Sequence, residues 1–288
     1  MDIGGTRTRY ALFENDQMVL QKTIPTIVSS FTELVQHLST VIQSNRKESM
    51  ANIETTVIGL PGPIRNEQLL NAPPMGIRSS HSLNQIKEIV SNTVLIENDL
   101  NLGVLAEKEK GTGKEMNEFG VLTISTGIGC GIVWNGKVIG NGSGEFGHSV
   151  IEKGEKALEC ACGRKGCWAS ISSGQGIQKQ LNELGEKISP QELFEKKEKN
   201  EKEKKLVEKI RDANAHGIGN IINAYALEAL VVMGGIGNNY FETVIPKKEE
   251  IIPYTINTIP PIYQTKLGDT IGLWGAYYLG KKKQEKEE

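Results

Sequence analysis

The sequence predicts an α/β fold built from two related halves, and three observations carry that expectation. Short apolar runs that stop at glycine or at Asn-Asp alternate with segments of 3.6-residue apolar periodicity, the pattern of strands alternating with helices. A glycine-threonine turn followed by a hairpin occurs twice, at Gly4-Gly5-Thr6 and again at Thr126-Gly127. Glycine makes up 32 of the 288 residues, against roughly 7% in average chains, so tight turns and backbone-lined sites are expected.

The elements follow in order. Residues 8–14 and 18–20 read as a β-hairpin turning at Asn15-Asp16. Phe31, Leu34, Val35, Leu38, Val41 and Ile42 form one helix face, with Ser30 and Glu33 as a capping box in front of it. Residues 55–60 read as a buried strand ending in Gly59-Leu60-Pro61-Gly62-Pro63, and residues 93–97 as another, stopping at Asn98-Asp99. Residues 100–110 are helical and close at Gly111. Strands are expected at 119–124, 130–134 and 137–139, separated by the loop 125–129 and the Asn135-Gly136 turn. Residues 195–205 hold six lysines and four glutamates and read as a solvated helix, and 281–288 as a frayed tail. Residues 209–228 are expected as a buried helix, and 229–233 as a strand before Gly234-Gly235-Ile236-Gly237.

Composition excludes several classes. A net charge of −2 offers no basic face for nucleic acid, and 38% hydrophobic with 24% charged residues fits a globular chain rather than a disordered one. No apolar run reaches the ~18 residues of a membrane span, and Met1-Asp2-Ile3-Gly4-Gly5 has no secretory-signal pattern. A reduced, cytoplasmic setting is therefore expected, in which clustered cysteines point to metal before disulfide.

Chemistry concentrates in a few motifs. Gly4, Gly5 and Thr6 offer backbone and hydroxyl donors to an anion, and Asp2, at the end of the preceding strand, suits Mg²⁺. An ordinary glycine turn is the competing reading. Thr126 and Gly127 repeat that donor set, while Gly234 and Gly235 let a flat ring lie against backbone. Asn98 and Asp99 are good helix caps, and Asp99 is equally placed as a general base at the carboxyl edge of a sheet. His148, Cys160, Cys162 and Cys167 have the residue types and spacing of a closed structural Zn²⁺ site, with Gly163 and Gly166 permitting the tight chain path. Just upstream, Glu145 could accept hydrogen bonds from a polyol, and His148 could bond one through its ring nitrogen not bound to metal.

In this order, the motifs Asp2-Ile3-Gly4-Gly5-Thr6, Gly59-Leu60-Pro61-Gly62-Pro63, Asn98-Asp99-Leu100-Asn101, Ser125-Thr126-Gly127-Ile128-Gly129, Gly144-Glu145-Phe146-Gly147-His148 and the Cys160-to-Cys167 cluster closely resemble the ROK family of sugar kinases and sugar-responsive repressors over nearly the whole chain. The resemblance implies an actin-like ATPase fold of two α/β domains around a cleft: residues 1–98 with 272–284 as the smaller, and 99–271, carrying the zinc loop, as the larger. It implies ATP and Mg²⁺ at Asp2, Gly4, Gly5, Thr6, Thr126 and Gly127, with adenosine near Gly234 and Gly235. It implies a sugar against Gly62, Asn98, Asp99, Glu145 and His148, with Asp99 as the base that deprotonates the 6-hydroxyl. A cytoplasmic homodimer acting on a hexose or N-acetylhexosamine, with no nucleic-acid or membrane partner, completes the expectation. Glucokinase or broad hexokinase activity is the first reading and N-acetylmannosamine kinase the second. A sugar-binding protein without turnover is a third, and the repressor reading lacks a DNA-reading segment ahead of Met1.

Two features depart from the family pattern. The glutamate that usually follows the third zinc cysteine by two positions is replaced by Ala169. The apolar residues that usually precede the aspartate of the first motif are missing, so either the start lies upstream or the sheet edge is shortened.

Overall fold

The computed structural model describes residues 1–49, 53–90, 93–140 and 144–286. The chain forms two compact units. The first comprises Met1–Lys110, Ile139–Ser143 and Thr270–Glu288, the second Gly111–Val138 and Gly144–Asp269.

In the first unit, β1 (Asp2–Ile3), β2 (Arg7–Glu14) and β3 (Gln17–Pro25) lead into α1 (Phe31–Ser49) and β4 (Thr55–Leu60). A small sheet follows, with strands β5 (Ile64–Arg65), β6 (Gln68–Leu69) and β7 (His81–Ser82). Then come α2 (Asn84–Glu88), β8 (Thr93–Asn98) and α3 (Asp99–Glu109). The main sheet runs β3-β2-β1-β4-β8. β1 is antiparallel to β2 and parallel to β4, and β4 is parallel to β8. The hairpin turns at Asn15 and Asp16, both at positive φ, as this residue pair favours. The apolar stripe of α1 buries Phe31, Leu34 and Leu38 against Ile3, Ile58 and Leu60. Its capping box is partly redirected: Ser30 Oγ accepts from Glu33 N, but the Glu33 carboxylate turns back to Ser29 N and Oγ at 2.7 and 2.8 Å. β1 is only two residues long, and the neighbouring edges of β2 and β4 line a cavity of about 530 Å³ with Tyr10, Leu12, Thr55 and Val57 among its walls.

The second unit repeats the design. β9 (Phe119–Ile124), β10 (Ile128–Trp134), β11 (Lys137–Val138), β12 (Ala229–Met233) and β13 (Ile262–Gln264) form a sheet in the order β11-β10-β9-β12-β13. The senses match those of the first sheet, antiparallel across the hairpin and parallel beyond it. The two related halves read from the sequence are therefore present in strand order and sense. β10 begins at Ile128, so the expected loop is shorter than 125–129. Helices α4 (Trp168–Ser172), α5 (Gly174–Glu183), α6 (Pro190–Glu195) and α7 (Glu201–Ala224) lie between β11 and β12, and α8 (Gly235–Asn239) follows β12 directly.

The lysine-rich stretch is not a single solvated helix. α6 ends at Glu195 and α7 starts at Glu201, with Asn200 and Glu203 forming a reciprocal capping box. Glu203 is fully buried and bonds Lys196 Nζ at 2.7 Å, so one of its charges is structural. The tail is likewise helical to Gln284, held by Lys281 to Asp16 at 2.9 Å.

The C-terminal helix, Ile271–Gln284, returns to the first unit and packs on α3. Gly275 makes the approach possible: a Cβ there would lie 1.9 Å from Leu102 O. Gly275→Ala must push the helices apart and should destabilise the first unit by about 1–3 kcal/mol. Gly235→Ala, where nothing lies within 4 Å, should change thermal stability far less; equal melting shifts for the two would contradict this packing.

Candidate functional site

In the first unit the parallel strands β1, β4 and β8 release their loops at one edge. Asp2 faces Gly59, Gly59 faces Glu97 and Leu60 faces Asn98. The turn after β1 is closed by Gly4 N donating to Arg7 O at 2.9 Å. Gly5 lies against Pro74, whose Cβ would be 2.8 Å from a side chain there. Asp2 is half-buried, with Arg9 Nη1 at 4.0 Å from its carboxylate and Gly272 of the C-terminal helix against it. Thr6 is exposed at the tip. Gly62 holds φ +96°, and a Cβ would collide with Asn71 O at 2.0 Å, so no other residue fits this turn.

Asn98 joins two of these loops. Its Oδ1 accepts from Leu100 N and Asn101 N at 3.0 and 3.1 Å, capping α3, while its Nδ2 donates to Gly62 O at 2.9 Å. Asp99, half-buried, opens the helix, and its Oδ1 accepts from Leu100 N at 2.8 Å. A carboxylate in the first turn is favoured by the positive end of the helix dipole.

The second unit places its glycine loops at the matching edge. Met233 faces Thr123 across parallel strands, so the 125–127 loop and Gly234 leave side by side. Gly234 has φ +90° and sits 2.6 Å, at its would-be Cβ, from Ile124 O. Around Gly127 and Gly235, by contrast, nothing lies within 4 Å of a would-be Cβ. These two glycines leave open space where a side chain would lie. A neighbour not singled out from sequence is the start of α5, where Ser173 caps Gly176 N and Gly174 N donates to Ser125 O at 2.7 Å. The Ser-Gly-x-Gly run 173–176 was the available signal.

The four metal-type ligands do converge. The ligand atoms of His148, Cys160, Cys162 and Cys167 all lie within 4.8 Å of one another. His148 Nδ1 is 3.6 Å from Cys160 Sγ, and Cys162 Sγ is 3.8 Å from Cys167 Sγ. Sulfurs bound tetrahedrally at ~2.3 Å lie about 3.8 Å apart, and a nitrogen at ~2.05 Å lies about 3.6 Å from such a sulfur, so the set fits zinc. Gly163 and Gly166 adopt φ +86° and +73°, and a Cβ at Gly166 would strike Glu152 O at 1.8 Å. Burial keeps His148 below its ordinary pKa, favouring the neutral ring that ligates, and, with the neighbouring cysteines, pushes the Cys167 thiol up to about 12.

His148 Nε2, on the side of the ring away from the cysteines, is 3.8 Å from Glu145 Oε2. Partial desolvation raises the pKa of Glu145, although its side chain stays 40% exposed. The candidate metal set thus lies against a further polar group, the Glu145 carboxylate. Ala169 is buried in the first turn of α4, and the adjoining Trp168 Nε1 donates to Asn214 Oδ1 at 2.8 Å, tying the end of the loop to α7.

A strand order repeated in two units, glycine loops at the carboxyl edge of each sheet and an Asn-Asp helix start together characterise the chain. The ROK family model matches residues 1–283, and the chain belongs to that family. It is 30% identical to an N-acetyl-D-glucosamine kinase of Histophilus somni over 96% of this chain and 97% of that protein. It is 27% identical to an N-acetylmannosamine kinase of Haemophilus influenzae over 98% and 94% of the two chains. A ROK family glucokinase from Streptomyces griseus, solved with glucose and AMPPNP, superposes with a TM-score of 0.82 at 19% identity, covering 98% of each chain. The fold is thus the actin-like ATPase fold. No helix among the described residues is long and apolar enough to cross a membrane.

The purified protein should carry one zinc per chain by elemental analysis. Cys160→Ser should release most of it and weaken sugar binding through the loop bearing Glu145. Full sugar affinity in a metal-free preparation would sever that link.

Proposed function

We propose that the chain transfers the γ-phosphoryl group of ATP to the 6-hydroxyl of a hexose or N-acetylhexosamine. It is a sugar kinase, working as a cytoplasmic homodimer. The observation that carries this reading is Asp99, half-buried at the carboxyl end of a parallel strand and at the positive end of α3, beside an asparagine bonded to the Gly62 loop.

Asp99 takes the proton from the sugar hydroxyl, and the oxygen attacks the γ-phosphorus in line as its bond to the β,γ-bridging oxygen breaks and ADP leaves. Such a transfer depends mainly on positioning and charge neutralisation. Asn98, with one amide hydrogen on Gly62 O, keeps the second for a sugar hydroxyl. Glu145 and His148 hold other hydroxyls through the zinc-anchored loop. Gly4, Gly5 and Thr6 present donors to phosphate, as do Thr126 and Gly127, while Gly234 and Gly235 lie against adenosine. Mg²⁺, held by Asp2 and the phosphates, would neutralise charge on the nucleotide.

Glucose, or a broad set of hexoses, is the first substrate reading. N-acetylmannosamine is the second, supported by the named relatives and by Ala169, which leaves room where the family pattern has a carboxylate.

Asp99→Asn keeps the shape but cannot accept a proton. Turnover should fall at least ~10²-fold while sugar and ATP still bind. Near-wild-type turnover would move proton transfer elsewhere, and no ATP-dependent product on any sugar in the unmutated protein would favour binding without turnover.

Ala169→Glu tests the substrate. If the missing carboxylate limits affinity, KM for glucose should fall by roughly 10- to 150-fold, the worth of one charge-assisted hydrogen bond of about 1.5–3 kcal/mol. If the space serves a bulkier sugar, activity on N-acetylmannosamine should be lost while glucose is spared. Unchanged KM on glucose, mannose and N-acetylmannosamine would put position 169 outside the sugar site.

A further inference from the structure

Glu97, the last residue before the Asn98-Asp99 pair, is unassigned by the reading above, yet it sits at the centre of that corner. Its Oε1 accepts two hydrogen bonds, from Asn98 N at 2.8 Å and from Asn101 Nδ2 at 3.0 Å. Asn98 N lies at the end of β8, and Asn101 lies in the first turn of α3. One carboxylate oxygen thus clamps the strand end to the helix start, across the residue proposed to do the chemistry.

Asn101 is only 6% exposed, and its Oδ1 is buried with no hydrogen-bond partner among the described residues. A buried, unpaired acceptor is costly. Reversing the amide would place oxygen against oxygen at Glu97, so the charge on Glu97 selects the orientation. The Asn101 amide thus holds Glu97 while leaving its own Oδ1 without a partner among the described residues. Asn98 then passes the constraint to the Gly62 loop through its Nδ2.

We propose that Glu97 is a positioning residue of the phosphoryl-acceptor corner: through Asn98 N and the Asn101 amide it fixes the orientation of Asp99 and the Gly62 loop. This rests on the assignment of Asp99 as the base.

The test uses the full chain with Glu97→Met, which keeps length and removes both acceptors, and Glu97→Gln, which keeps one oxygen for both donors. Asn101→Leu breaks one arm only and serves if Glu97→Met does not fold. Steady-state kinetics with ATP and glucose, or the best sugar found, should give a kcat at least tenfold lower for Glu97→Met and Asn101→Leu, with KM for ATP within about threefold. Glu97→Gln should recover most of kcat. Amide hydrogen exchange over residues 98–101 should quicken in the Met and Leu variants and remain slow in the Gln variant. A kcat unchanged in Glu97→Met, or reduced equally in Glu97→Gln, overturns the proposal. So does a loss of kcat with unaltered exchange. An active Asp99→Asn would instead strike the base assignment, so the two failures are separable.

Discussion

Parallel pairing of β1 with β4, and of β4 with β8, is the constraint on which the first unit depends. Strands of one sense must end at one edge, and the loops that follow them must open there. Asp2, Gly59 and Glu97 stand in one row across the sheet. The glycine turn, the Gly62 loop and Asp99 are consequently neighbours although nearly a hundred residues separate the first from the last. Had β4 run the other way, the Gly62 loop would have left at the opposite end and Asn98 could not reach its carbonyl. The second sheet obeys the same rule with β9 and β12, which is why the 125–127 loop and Gly234 emerge together. One topological decision, made twice, collects residues that local sequence scatters.

Much of this was legible because it is written in short-range chemistry. Positive-φ turns demand Asn, Asp or Gly, and Asn15-Asp16 and Asn135-Gly136 supply them where the hairpins turn. Metal-type ligands carry their own spacing, so the convergence of His148, Cys160, Cys162 and Cys167 is legible in the sequence. What stayed hidden depends on partners remote in sequence or on choices between equal donors. Ser29 and Ser30 are adjacent, and nothing local tells which will receive the Glu33 carboxylate. Residues 195–205 look like a solvated charge run because charge alternation alone cannot reveal that Glu203 turns inward to cap α7 and meet Lys196. The start of α5 against Ser125 was invisible for the same reason: a serine cap and two glycines say where a helix begins, not what it touches.

Close backbone approach is the second physical theme, and it appears wherever a loop must be held without flexibility. At Gly62 and Gly166 a methyl group would overlap a carbonyl oxygen outright. Gly127 and Gly235 are different: their surroundings are open, so nothing in the folded chain itself explains them as packing. The contrast separates glycines that build the scaffold from glycines that leave backbone accessible. The four residues that could hold zinc belong to the first sense. A tetrahedral set with all four positions filled by protein has none left for a reacting water, and the outward nitrogen of His148 beside Glu145 transmits its rigidity to polar groups.

The Asn98-Asp99 corner resolves a choice that the sequence poses as exclusive. Either residue could cap α3, and a capping carboxylate spends its lone pairs on backbone N–H groups. Here Asn98 takes the cap with Oδ1, satisfying Leu100 N and Asn101 N, and anchors the Gly62 loop with Nδ2. Asp99 is left one position inside the helix, where the dipole keeps a carboxylate ionised. Its Oδ1 accepts from Leu100 N at 2.8 Å, at the start of the helix. Of two adjacent residues of similar shape, the neutral one takes the cap and the charged one is spared it. That division suits the base proposed above, because an aspartate enlisted as the main cap would be stabilised as the anion beyond what the dipole already does and would accept a proton less readily.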